Sequence, residues 1–193
     1  MGFTHKIFTG LAALSLALAP ALPSMAVTFN FSGTTAGTGV TWNRPVASPT
    51  TGAITGLSTS ATAVRYQTLA FRVDTSGSYT FQSTSISPAF WDNYSFLYQT
   101  SFIATSPLTN VLIGNDDNTS IGLSGFTFSL TAGTQYFFVE TGFSNTSSGT
   151  YSLTIDGPGT VTAVPEPSEV LGLLAFAGLG GAAFLKRRKQ AVM

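Results

Sequence analysis

Cysteine is absent from the 193 residues, histidine occurs once, and only 8% of the chain is charged. Each shortage removes a class of chemistry. Without cysteine there is no disulfide framework to supplement a thin core and no thiolate nucleophile. The one histidine, His5, stands ahead of an apolar run near the N-terminus, so the rest of the chain has no imidazole base. Lysine is missing between Val27 and Val164. Nucleophile systems built on Ser-His-Asp, Cys-His or Ser-Lys are therefore excluded, and a zinc site would lack its usual ligands. No glycine-rich loop follows a strand and opens a helix, which leaves a nucleotide phosphate without a cradle.

Cations are also scarce in the middle of the chain. Five of the eight, Lys6, Lys186, Arg187, Arg188 and Lys189, lie outside Val27–Val164. Inside, Arg44, Arg65 and Arg72 face Asp74, Asp92, Asp116, Asp117, Glu140 and Asp156, a balance of −3. Nucleic acid is excluded as a partner, because neutralising its phosphates takes clustered Lys and Arg. Carboxylate pairs of the glycosidase kind are the one catalytic apparatus left to consider. The spacing of Asp92, Asp116, Asp117 and Glu140 singles out no such pair, so a non-enzymatic protein is expected.

The chain does have two unlike ends. Lys6 precedes a nearly apolar run from Ile7 to Ala19, and Ser24 and Ala26 stand at −3 and −1 of a cut before Val27. That order predicts a secretory signal helix over residues 1–26, handed to the export machinery and removed. The run is shorter than the roughly 20 residues a membrane span needs. At the other end, Val170 to Leu185 is 16 residues without a charge. As a helix it would reach about 24 Å against a hydrocarbon core of about 30 Å. Lys186, Arg187, Arg188 and Lys189 can snorkel to cover the shortfall and place the C-terminus in the cytoplasm. Pro165 and Pro167 keep the approach extended and outside the helix.

Between the ends the pattern has period two. "VTFNFSG", "LAFRVD", "SYTFQS", "YSFLYQ", "GFTFSL", "QYFFVE" and "TYSLTI" are short alternating runs separated by Gly- and Asx-rich turns, the signature of half-buried strands. An all-β domain is predicted over 27–160, an antiparallel β-sandwich of jelly-roll-like topology with its core over 64–157; an Ig-like order stays open. Residues 32–63, small and polar with Pro45 and Pro49, are expected to form edge strands and long loops, with Trp42 in a loop. A Pro-rich linker over 161–169, a transmembrane helix over 170–185 and a basic tail over 186–193 complete the order.

Two clusters in the middle suggest ligands. Asn115, Asp116, Asp117 and Asn118 offer four oxygen-bearing side chains in succession, with Asp92, or else Asn93 or Asp74, as a further donor if the loops converge. Calcium is the cation such hard oxygens suit. The same residues also make ordinary turns, since Asn and Asp bond their own backbone, and both readings stay open. In "AFWDNY", Trp91 and Tyr94 beside polar neighbours have the composition of a carbohydrate platform.

The stretch from Phe71 to Gly159 resembles the bacterial pre-peptidase C-terminal type of β-sandwich. Gly77, Tyr79 and Phe81; Asp92, Leu97 and Tyr98; Asn115–Asp117; Ala132–Thr134 and Tyr136; and Gly149, Tyr151, Leu153 and Ile155 carry the likeness. It implies a non-catalytic accessory domain. Pro165, Glu166, Pro167 and Ser168, followed by the short apolar run and the four cations, resemble the PEP-CTERM sorting signal of exopolysaccharide-producing bacteria. That likeness implies an exosortase-type membrane protease as partner and anchoring in the inner membrane with the domain outside. Processing of the tail would then leave the protein at the cell surface or in the matrix, among exopolysaccharide.

Overall fold

The structure is a computed structural model that describes residues 26–165. The greater part of the expected signal segment lies outside the described residues. So do Glu166, Pro167, Ser168, the expected span and the basic tail. The described residues form twelve strands: β1 (Val27–Thr34), β2 (Thr41–Trp42), β3 (Pro45–Ala47), β4 (Ile54–Leu57), β5 (Val64–Val73), β6 (Gly77–Ser87), β7 (Asn93–Gln99), β8 (Val111–Asn115), β9 (Leu123–Leu130), β10 (Tyr136–Gly142), β11 (Thr150–Gly157) and β12 (Val161–Ala163). Among them no helix is long and apolar enough to cross a membrane.

One sheet runs β1-β11-β6-β9. The other runs β12-β5-β10-β7-β8, with β2 also on β5, while β3 and β4 pair with each other. Every pairing is antiparallel. From β5 onward the chain changes sheet at almost every connection, so neighbours in sequence end up facing each other across the core. The alternating residues fill that space: Tyr79 and Phe81 of β6 and Tyr151, Leu153 and Ile155 of β11 face Leu69, Phe71 and Val73 of β5 and Tyr136 and Phe138 of β10. The Phe81 ring stacks on Phe138 of the opposite sheet at 6.1 Å.

A second core lies on the outer face of the β5–β10–β7 sheet. Tyr94, Phe96 and Tyr98 point into it, while Leu97 points into the first. Strand β7 is therefore buried on both faces, as a covered central strand is. The cover comes from residues 41–61, which corrects the expectation that Trp42 lies in a loop. Trp42 is a core residue of β2, edge-on to Phe96 at 5.6 Å and bonded through Nε1 to Thr141 Oγ1 at 3.0 Å. One large ring with Ala47 and Ala61 packed around it closes this layer, which is why so polar a segment can cover a sheet. The C-terminal boundary also shifts. Val161–Ala163, assigned to the linker, form β12 opposite Phe71–Val73.

Candidate functional site

Two loops at one end of the sandwich, between β6 and β7 and between β8 and β9, bring three carboxylates together. Asp92 stands just before β7, where its carbonyl accepts from Phe143 N at 2.9 Å. Asp116 and Asp117 follow β8 directly. Oxygens of Asp92, Asp116 and Asp117 all lie within 4.8 Å of one another, although Asp92 is 24 positions away in sequence.

The flanking asparagines are spent on holding the loop. Asn115 Oδ1 accepts from Gly125 N at 3.0 Å, and its carbonyl accepts from Ser124 Oγ at 2.7 Å. Asn118 N donates to Leu123 O at 2.7 Å, and Asn118 Nδ2 donates to Gln82 Oε1 at 2.5 Å. Thr119 and Gly122 adopt positive φ, 79° and 87°, completing the tight return. Of the five residues expected to ligate a metal, Asn115 and Asn118 thus serve the turn, and Asp92, Asp116 and Asp117 form the cluster. Asn93 points inward instead, and Asp74 is bonded elsewhere, to Thr75 and Thr160.

The cluster is electrostatically tense. Asp116 Oδ1 is buried and has no hydrogen-bond partner. Burial, followed by the charges of Asp92 and Asp117, pushes the Asp116 carboxyl up to about 7. Burial and then Asp117 raise Asp92 too, with Arg44 opposing. Arg44, a residue that sequence reading treated only as a charge, is 3% exposed. Its Nε and Nη2 donate to Phe143 O, Nη1 donates to Pro45 O, and its guanidinium lies 4.3 Å above the Tyr94 ring. One fixed cation near three carboxylates leaves net negative charge, and an orphaned carboxylate oxygen is what a hard cation would satisfy. The donor set therefore fits calcium, with backbone carbonyls and waters making up its six to eight oxygens.

The aromatic pair offered as a sugar platform is corrected by burial. Trp91 is 6% exposed and donates from Nε1 to Thr150 O at 2.9 Å. Tyr94 is 2% exposed, stacks on Phe96 at 4.7 Å, and its hydroxyl accepts from Ala47 N. Neither ring has a face to give. Phe90, beside them, is 78% exposed.

A further acidic group lies between the sheets. Glu140 is fully buried; Ser83 Oγ and Asn93 Nδ2 donate to its Oε1 at 2.7 and 2.9 Å, and Ser95 Oγ donates to Oε2 at 2.8 Å. Burial pushes it up to about 7 against the pull of those three donors.

No family model matches the chain, and no curated protein matches it. Among solved structures the chain is similar to the K1 cleaved adhesin domain of Lys-gingipain from Porphyromonas gingivalis W83, at 16% identity over 74% of this chain and 99% of that one, with a TM-score of 0.30. A likeness at that score carries no argument about fold or ligand.

Proposed function

We propose that this chain is an exported, non-enzymatic surface or matrix protein whose jelly-roll sandwich binds calcium through Asp92, Asp116 and Asp117. The observation that carries the reading is the meeting of those three carboxylates from two separate loops, with a buried Asp116 oxygen left unpartnered. Turn bonds of Asn115 and Asn118 hold the loop that presents Asp116 and Asp117. The order β1-β11-β6-β9 against β5-β10-β7-β8 supports the jelly roll, eight strands wound as two Greek keys. The lack of histidine, cysteine and lysine between Val27 and Val164 supports a binding role over catalysis.

Export and sorting complete the proposal. A cut after Ala26 would make Val27 the N-terminus, and Val27 is the first residue of β1. Pro165 stands two residues beyond β12, so the Pro165–Ser168 motif would follow the sandwich directly and meet an exosortase-type protease at the membrane surface. Calorimetric titration of the full chain in detergent with calcium chloride tests the site. One ion per chain is expected, with a raised melting temperature, and both effects should vanish in Asp116→Asn. No heat and no melting shift at millimolar calcium would refute the site. Replacing Pro165, Glu166 and Pro167 with alanine in the native host tests the sorting: an unprocessed, membrane-bound form is expected, and unchanged processing would refute it.

A further inference from the structure

An open cleft of about 720 Å³ lies on the outer face of the β5–β10 pair, within the range of small-molecule sites. Residues Tyr66, Phe102 and Phe137 supply its aromatic lining, and Thr38, Thr68 and Gln135 are among its polar residues. None of the residues lining it carries a charge at neutral pH. Gln135 immediately precedes β10 and Phe137 is its second residue, whereas Phe143, bonded to Asp92, follows its end. The cleft extends from there along β5 to Tyr66, opposite Thr141, and shares no lining residue with the acidic cluster.

Two of the rings, Tyr66 and Phe102, are held in place. Tyr66 and Phe102 meet edge-to-face at 5.3 Å, and Trp42 braces both, at 5.6 and 5.4 Å. All three lining rings are only half-buried. Gln135 is fixed as well, accepting from Arg72 Nε at 3.0 Å and donating to Phe71 O at 3.3 Å. The strands beneath already spend their backbone groups on each other, so a peptide could not add here as a further strand. Fixed ring faces interleaved with hydroxyls and an amide match a sugar, which has an apolar C–H face and a hydroxyl edge.

We propose that this cleft binds a neutral glycan, whose rings lie against Tyr66, Phe102 and Phe137 and whose hydroxyls meet Thr38, Thr68 and Gln135. The absence of charge is what selects the class. An acidic polysaccharide would lose water from its carboxylates against a wall of uncharged side chains, whose one bordering cation, Arg72, is engaged by Gln135 Oε1 and Gly133 O, and a neutral one meets no such cost. The site is distinct from Trp91 and Tyr94 and does not depend on the calcium reading.

Affinity electrophoresis tests it, with the full chain in detergent run through native gels containing galactomannan, hydroxyethyl cellulose, dextran or alginate. Phe137→Ala and Thr68→Lys are run beside the parent, after thermal melts show that they fold. Retardation in at least one neutral gel is expected, weakened at least tenfold by both variants and unchanged when EDTA replaces calcium. Loss of the calcium site would leave that result intact. Retardation only in alginate, retardation that survives both variants, or none in any gel would overturn the proposal. Enhanced emission from an apolar dye without glycan retardation, abolished by Phe137→Ala, would also overturn it. That result would make an apolar segment such as Val170–Leu185 the occupant.

Discussion

Exchanging Glu140 for glutamine should change how the stability of the sandwich depends on pH. Glu140 is fully buried, and burial raises its carboxyl from an ordinary 4.5 to about 7. The folded chain therefore holds this proton more tightly than the unfolded chain. The stability that the proton contributes is fully present below pH 4.5 and is lost as pH rises through about 7. A difference of two to three pH units, at about 1.4 kcal/mol each, makes the loss about 3 kcal/mol. Glutamine keeps an acceptor for Ser83 Oγ and Asn93 Nδ2, and the Ser95 hydroxyl can turn to accept from the new amide. Denaturant unfolding from pH 5 to pH 9, in EDTA, reads the difference for a chain spanning residues 27–165. Glu140→Gln should gain on the parent by about 3 kcal/mol from the acid to the alkaline end of that range. The upward-shifted Asp116 acts in the same direction, but it is common to both chains and drops out of the comparison. Parallel curves for the two proteins would refute the assignment of a buried, proton-holding Glu140.

Other substitutions probe separate parts of the account. Asp116→Asn, in EDTA at pH 8, should raise the unfolding midpoint by relieving repulsion with Asp92 and Asp117; a lowered midpoint would count against electrostatic tension in the cluster. Asn115→Ala removes the acceptor for Gly125 N and should cost about 1 kcal/mol. Calorimetry should still show calcium heat in that variant, because Asn115 serves the turn. Trp42→Ala should cost about 3–5 kcal/mol by emptying the second core, measured by denaturant unfolding. A cost below 1 kcal/mol would show that residues 41–61 do not cover the sheet. Saturating calcium at a hundredfold over its Kd should stabilise the parent by about 2.7 kcal/mol, read as a shift of the same unfolding curve.

The inner core was legible because its strands are half-buried. Tyr79 and Phe81, Tyr151, Leu153 and Ile155, and Phe71 and Val73 alternate with polar neighbours, and the structure buries each of them. The second core was hidden by the same logic. Nothing local distinguishes a Trp42 that closes a layer from one in a loop, since its partners Phe96 and Phe102 stand more than fifty positions away. Trp91 and Tyr94 misled for a related reason: an aromatic among polar residues suits a surface platform, but here Thr150 O and Ala47 N take the polar ends and packing takes the faces. The acidic cluster was legible in residue type only. Bringing Asp92 to Asp116 depends on strand order, which places the turn before β7 beside the turn after β8. Within "NDDN" the asparagines bond the loop and the aspartates meet Asp92.

A crystal structure of the sandwich grown in millimolar calcium tests the central claim most directly. The account predicts a density peak with one oxygen each of Asp92, Asp116 and Asp117 at about 2.3–2.6 Å, the Asp116 oxygen among them being the one now without a partner. Three carboxylates surrounded only by water, or turned apart into solvent, at that calcium concentration would contradict it.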